Sequence, residues 1–232
     1  MLQTKYGQET IGVFSLIMSF YLFAVTFATS GVSTACTCIV SEELAKNNEQ
    51  NAKKAFSTCL LFGLILGLLA SFLVIILSPL VANKFLKNSV SIIPILAISV
   101  GLPFIALSSV INGYFASIGK SYRNAISGIF EVTIKIIATV IFLKISDITS
   151  LEAVCLSLIM ADVIAEVFAF LLNTFLYFLD KKKNRVISDK SFKMKKRIFK
   201  IAFPIAITSY IKSRTFFFKT ILNTFKAWNG WF

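Results

Sequence analysis

Four acidic or basic residues stand deep inside long apolar runs of this chain: Glu131, Lys135, Asp162 and Glu166. On the insertion scale such a side chain costs about 2.5–3.5 kcal/mol near the bilayer centre, so it marks a functional site or a structural pair. Glu131 and Lys135 are four residues apart with the acid first, the order that lets opposite charges neutralise each other on one helical face. Asp162 and Glu166 repeat that spacing with two acids, and neighbouring carboxylates do not ionise together easily. Either one keeps a proton, or a cation sits between them, from the Lys135 helix, from solvent or from a ligand. Three acids against one base are not self-neutralising, which suits a proton, cation or substrate pathway. The plain alternative for Glu131 and Lys135 is an ion pair that locks their helix to its neighbours.

Other chemistry is scarce. The sequence has no His, which removes His-based zinc sites, Ser-His-Asp triads and His general bases. Cys36, Cys38, Cys59 and Cys155 all fall in apolar runs without CxxC spacing, the pattern of buried small hydrophobes. No Gly-rich phosphate loop or nucleophile elbow occurs. The expectation is a protein that is not an enzyme and has no metal or cofactor.

The elements that must carry these residues are apolar helices. Of the 232 residues, 56% are hydrophobic and 24 are Phe, above the roughly 45–50% apolar content of soluble domains. The apolar residues gather at 11–40, 55–80, 91–116, 125–143 and 151–179, each long enough to cross ~30 Å of hydrocarbon. Only helices satisfy their own backbone there without closing a barrel. The fold class is therefore all-α, a polytopic transmembrane bundle, with residues 11–179 as a five-helix unit behind an extracytoplasmic segment, 1–10. Residues 180–200 read as a basic linker. Residues 201–232 read as a partial further helix with an aberrant tail, since Lys212 and Arg214 interrupt its apolar run.

The net charge of +13 is concentrated after the fifth run, where nine Lys and Arg lie between Lys181 and Arg197. A juxtamembrane basic stretch reads as a topology signal and a contact for anionic membrane lipids, and without interleaved aromatics it gives no reason to expect a nucleic-acid partner. Counting on alternate sides, those nine join Lys46, Lys53, Lys54, Lys120 and Arg123, against Lys5, Lys84, Lys87 and Lys144. The richer side is expected to be cytoplasmic. The first run then begins outside, and a further helix is expected before Met1.

Small residues mark close helix approaches. Thr26, Ser30, Ser33 and Thr37 form a polar stripe on the first run, more typical of a packing seam than of ligand contacts; Thr26 and Ser30 remain pathway candidates. Gly63, Gly67 and Ser71 repeat a small-xxx-small pattern. Gly101 and Pro103 are expected to kink the third run.

Two stretches carry a recognisable signature: ATSGVSTACTCIVSEELAKNN, Ala28 to Asn48, and ALSSVINGYFASIGKSYRNAISGIFEVTIKI, Ala106 to Ile136. They resemble the stage V sporulation protein B-like branch of the multidrug/oligosaccharidyl-lipid/polysaccharide flippase superfamily, over residues 7 to about 212. The resemblance implies a fourteen-helix transporter of two pseudo-symmetric lobes that moves a lipid-linked oligosaccharide or peptidoglycan precursor across the bacterial cytoplasmic membrane. It makes the five runs helices two to six, most of one lobe. A lipid-linked sugar is then the expected substrate, with a second half or another copy of the chain as partner. Where relatives often carry Arg before Gly-Tyr-Phe, this chain has Asn112, a further pathway candidate. Beyond about Lys212 the resemblance stops, as a truncated or frameshifted gene would produce. The competing readings are a cation-coupled drug exporter of the same superfamily and a non-transporting membrane fragment.

Overall fold

The computed structural model describes residues 17–29, 31–80, 92–145, 151–180 and 204. Segment 1–10, Ser30, Lys84, Lys87, the basic stretch 181–200 and, Pro204 aside, the run from 201 onward lie outside these residues. The elements are α1 (17–29), α2 (Val32–Ala45), α3 (Glu49–Leu80), α4 (Ile93–Ser117), α5 (Tyr122–Ile145) and α6 (Leu151–Asp180). Together they make five helical spans long and apolar enough to cross a bilayer, the first running from Ile17 to Ala45. The chain is an all-α, multi-pass membrane protein.

Two boundaries differ from the sequence reading. The first span is divided at Gly31, whose φ of 73° lies in the left-handed region that an L side chain rarely adopts. The expected loop at 41–54 shrinks to Lys46, Asn47 and Asn48, because α2 continues to Ala45 and α3 starts at Glu49. Ser41–Ala45 and Glu49–Lys54 are polar but helix-competent, so both helices extend past their apolar portions. Asn48 caps α3 by accepting from the Asn51 N–H, and Asn51 donates in turn to Glu43, itself buried between the two helix ends.

α4 is the centre of the bundle and packs against α2, α3 and α6. One core joins Ile17, Phe20 and Ala24 of α1 to Ile98 and Leu102 of α4 and Ile159 of α6. A second joins Val32 and Ile39 of α2 to Phe56 of α3 and Val110 and Phe115 of α4. The small-residue pattern of α3 meets α4: a Cβ on Gly67 would lie 2.9 Å from the Cα of Pro103 and from the Ala106 Cβ. The polar stripe of α2 is a seam as well, with the Thr37 hydroxyl donating to the carbonyls of Ser33 and Gly113. A Cβ on Gly113 would stand only 2.5 Å from the Ser33 carbonyl oxygen.

α4 remains helical through Gly101 and Pro103. Pro103 has no N–H for the Ser99 carbonyl one turn earlier, and the Ser71 hydroxyl of α3 supplies the missing donor at 2.7 Å. Within α3 the same device recurs: Pro79 frees the Ile75 carbonyl, which accepts from the Ser78 hydroxyl at 2.8 Å.

The outward faces of α3 and α5 are apolar, with Phe72 60% and Ile129 70% exposed. In water such surfaces would drive association, whereas hydrocarbon solvates them. α5 packs chiefly on α6, and of its residues Ser127 is buried. The burial of α5 is therefore concentrated along the edge that carries its polar residues.

Candidate functional site

Glu131 and Lys135 flank the middle of the span Tyr122–Ile145, and Glu166 stands at the midpoint of Ala153–Leu179. Antiparallel packing of α5 on α6 brings these levels together. Among the described residues Lys135 makes its ion pair with Asp162, whose side chain is 9% exposed. Lys135 thus crosses to α6 for its ion pair, bringing a cation from its helix to Asp162, while Glu131 keeps an electrostatic interaction with Lys135 along α5. The physical reason is burial. Asp162 is the more deeply enclosed carboxylate and gains most from an ammonium partner.

Glu131 and Glu166 complete the set, each within electrostatic range of Asp162 and Lys135. A fifth member comes from α1. Tyr21, 9% exposed, lies within electrostatic range of Asp162 and Glu166. Three acids, one ammonium and one phenol thus converge where α1, α5 and α6 meet, at mid-span depth. Such a set can hold a proton, exchange a cation or orient a polar ligand, because its own charges do not balance. Among the described residues there is no group of three or more metal-ligating side chains.

The other candidates are placed apart. Thr26 donates to the Leu22 carbonyl of its own helix, roughly 140° around α1 from Tyr21. Asn112 lies nearer the α4–α5 turn; its backbone carbonyl accepts from Asn124 at 3.0 Å, and its side-chain oxygen is shut off from solvent without a partner. At the same end Arg123 donates to the Leu176 carbonyl at 2.9 Å and stacks its guanidinium over Phe115 and Tyr122. Sequence reasoning missed Tyr21, Asn124 and Asn173. The signal in the sequence was the helical spacing by which Asn124 and Asn173 share faces with the acids, whereas nothing in the first run singles out Tyr21.

A family model described as polysaccharide biosynthesis protein matches residues 3–227, and the chain belongs to that family. It is 27% identical over 228 residues to the stage V sporulation protein B of Bacillus subtilis (strain 168), covering 93% of this chain and 43% of that protein. Solved structures with the same fold include a MATE in complex with MaD5, with a TM-score of 0.74 at 16% identity over 96% of this chain and 53% of that one. Another is the inward-facing conformation of a multidrug resistance MATE family transporter of the MOP superfamily, with a TM-score of 0.69 at 16% identity over 90% and 48%. The chain spans less than half of the sporulation protein and about half of each MATE chain.

Proposed function

We propose that this member of the polysaccharide biosynthesis protein family provides one lobe of a flippase that carries lipid-linked oligosaccharide or peptidoglycan precursor across the bacterial cytoplasmic membrane. The observation that carries the reading is the unbalanced charge set of Glu131, Lys135, Asp162 and Glu166 at mid-span, joined by Tyr21. Polar sites of secondary transporters lie near the bilayer midplane, where rocking of one repeat against another exposes them to either side in turn. In such a cycle Lys135 and the acids respond to ion or substrate occupancy, and the seams at Gly67 and Gly113 hold α2, α3 and α4 as one rigid block. The work assigned to the chain is transport, with no covalent step. One lobe alone does not alternate access, so a second half or a second copy completes the carrier.

The test replaces the corresponding half of the Bacillus subtilis relative with residues 1–232, in cells lacking the native copy, and follows a fluorescent lipid-linked oligosaccharide to the outer leaflet. Translocation by the chimera is expected, with a loss on Asp162→Asn or Glu166→Gln at equal membrane levels. The 232-residue chain expressed alone is expected to give none. A chimera that inserts normally yet moves no lipid-linked sugar, or one indifferent to both substitutions, refutes the reading.

A further inference from the structure

The polar residues of α5 and α6 continue beyond the charge set in one direction. On α5, Asn124, Ser127, Glu131 and Lys135 follow at spacings of three, four and four; on α6, Asp162, Glu166 and Asn173 follow at four and seven. Each series occupies one helical stripe. The register of the two helices is pinned at both ends, by Lys135 with Asp162 and by Arg123 with the Leu176 carbonyl. Asn124 is thereby level with Asn173 and Thr174, and its amide reaches the Asn112 carbonyl of α4. On α4, Ser108 and Asn112 lie on the same face as Gly101, where an added Cβ would touch Val163 of α6 at 3.4 Å. Three helices thus converge on one polar level between the α4–α5 turn and the carboxylates.

Five oxygens at this level are closed off from solvent and lack a hydrogen-bond partner: the amide oxygens of Asn112, Asn124 and Asn173 and the hydroxyls of Ser108 and Thr174. Asn173 as a whole is 1% exposed. An interhelical polar zipper would pair these groups with one another, and they are not so paired. Buried polar atoms in native proteins find partners in protein or water, and a set dominated by acceptors requires a small donor. A resident metal ion is disfavoured, because no carboxylate stands at this level and the Arg123 guanidinium adjoins it. Water meets the requirement.

We infer that the α5–α6 seam is a hydrated path through which the mid-membrane carboxylates exchange protons with the side on which the α4–α5 turn lies. The charged and titratable groups facing it are Tyr21 from α1, Glu131 and Lys135 from α5, Asp162 and Glu166 from α6, and Arg123 at its mouth; α4 contributes only neutral Ser108 and Asn112. This deepens the flippase reading by naming a proton route to its charge set, and its test needs no transported substrate.

The 232-residue chain in lipid nanodiscs is perfused with heavy water while infrared spectroscopy follows the carbonyl stretch of protonated carboxyl groups, assigned by its loss in Glu131→Gln and Glu166→Gln. Asn173→Leu, which keeps the branching of the side chain and removes the acceptor, is expected to slow deuterium exchange about tenfold, as expected when water is excluded from an apolar segment. Asn173→Gln is expected to retain fast exchange, and Ile129→Ala on the lipid face to change nothing. Ser127→Val blocks the same route at a second level and is expected to act as Asn173→Leu does; far-ultraviolet circular dichroism confirms that each variant stays helical. Exchange unaltered by both Asn173→Leu and Ser127→Val, or undetectable in the unsubstituted chain, overturns the path. Slowed exchange in a protein whose chimera moves no lipid-linked sugar keeps the path and removes the flippase reading.

Discussion

Lys135→Ala leaves the Asp162 carboxylate without its ammonium partner in a bundle where only 9% of that side chain is open. Stranding one member of a buried pair costs roughly 3–5 kcal/mol. Because the Lys135 side chain is 39% exposed, part of the pairing energy is already screened, and a loss of about 2–3 kcal/mol is expected. At roughly 2–4 °C per kcal/mol for a chain of this size, the midpoint of thermal unfolding falls by about 4–12 °C. The assay is circular dichroism of the detergent-solubilised chain, with unfolding shown to be reversible. Adding Asp162→Asn to Lys135→Ala removes the stranded charge and restores most of the loss, whereas adding Glu131→Gln does not. That contrast separates the interhelical pair from the intrahelical one suggested by the four-residue spacing. A coupling between Lys135 and Asp162 below about 0.5 kcal/mol, the scatter seen for independent sites, refutes the pairing, as does rescue by Glu131→Gln alone.

Three further outcomes follow from the packing and the charge pattern. Gly113→Ala is expected to destabilise by about 1–3 kcal/mol through its clash with the Ser33 carbonyl, while Gly128→Ala, with open space around it, stabilises by roughly 0.5–1 kcal/mol; thermal unfolding of the two variants side by side checks both. Ser71→Ala costs about 1 kcal/mol, and less in a Pro103→Ala background, where the new N–H takes over the Ser99 carbonyl; equal costs in the two backgrounds would show that Ser71 does not compensate the proline. A cysteine at Lys46 is expected to be shielded from an impermeant maleimide in intact cells and one at Lys144 to be labelled, in a background without native cysteines; the opposite pattern inverts the orientation drawn from the positive-inside rule.

The spans were legible because hydrocarbon thickness imposes a length and a composition that no soluble helix needs, so runs such as 91–116 and 151–179 fall within a few residues of α4 and α6. Ends that leave the hydrocarbon carry no such constraint. For that reason Ser41–Ala45 and Glu49–Lys54 read as loop although they continue α2 and extend α3. The close approaches at Gly67 and Gly113 were legible as small-residue patterns, but their partner was not, since an absent side chain states that something comes near without stating what. The Ser71–Ser99 contact lies further from view: it requires knowing that Pro103 opposes Gly67, a fact of interhelical register.

The candidate site shows the same limit more sharply. Helical spacing placed Glu131 with Lys135 and Asp162 with Glu166 on common faces, and each face is real. Spacing within a helix, however, is blind to the helix across from it, and in a membrane that neighbour decides the pairing. Lys135 has an acid four residues before it on α5 and another opposite it on α6, and it takes the one whose burial leaves it most in need of a counter-charge. Tyr21 could be found only through the same register, because nothing in the first run singles out one phenol among its aromatics. The amides of Asn124 and Asn173, read alone, are ordinary polar substitutions. Only when Arg123 and Lys135 fix the register of α5 on α6 do they fall into line with the carboxylates, and a scatter of polar residues becomes one continuous seam.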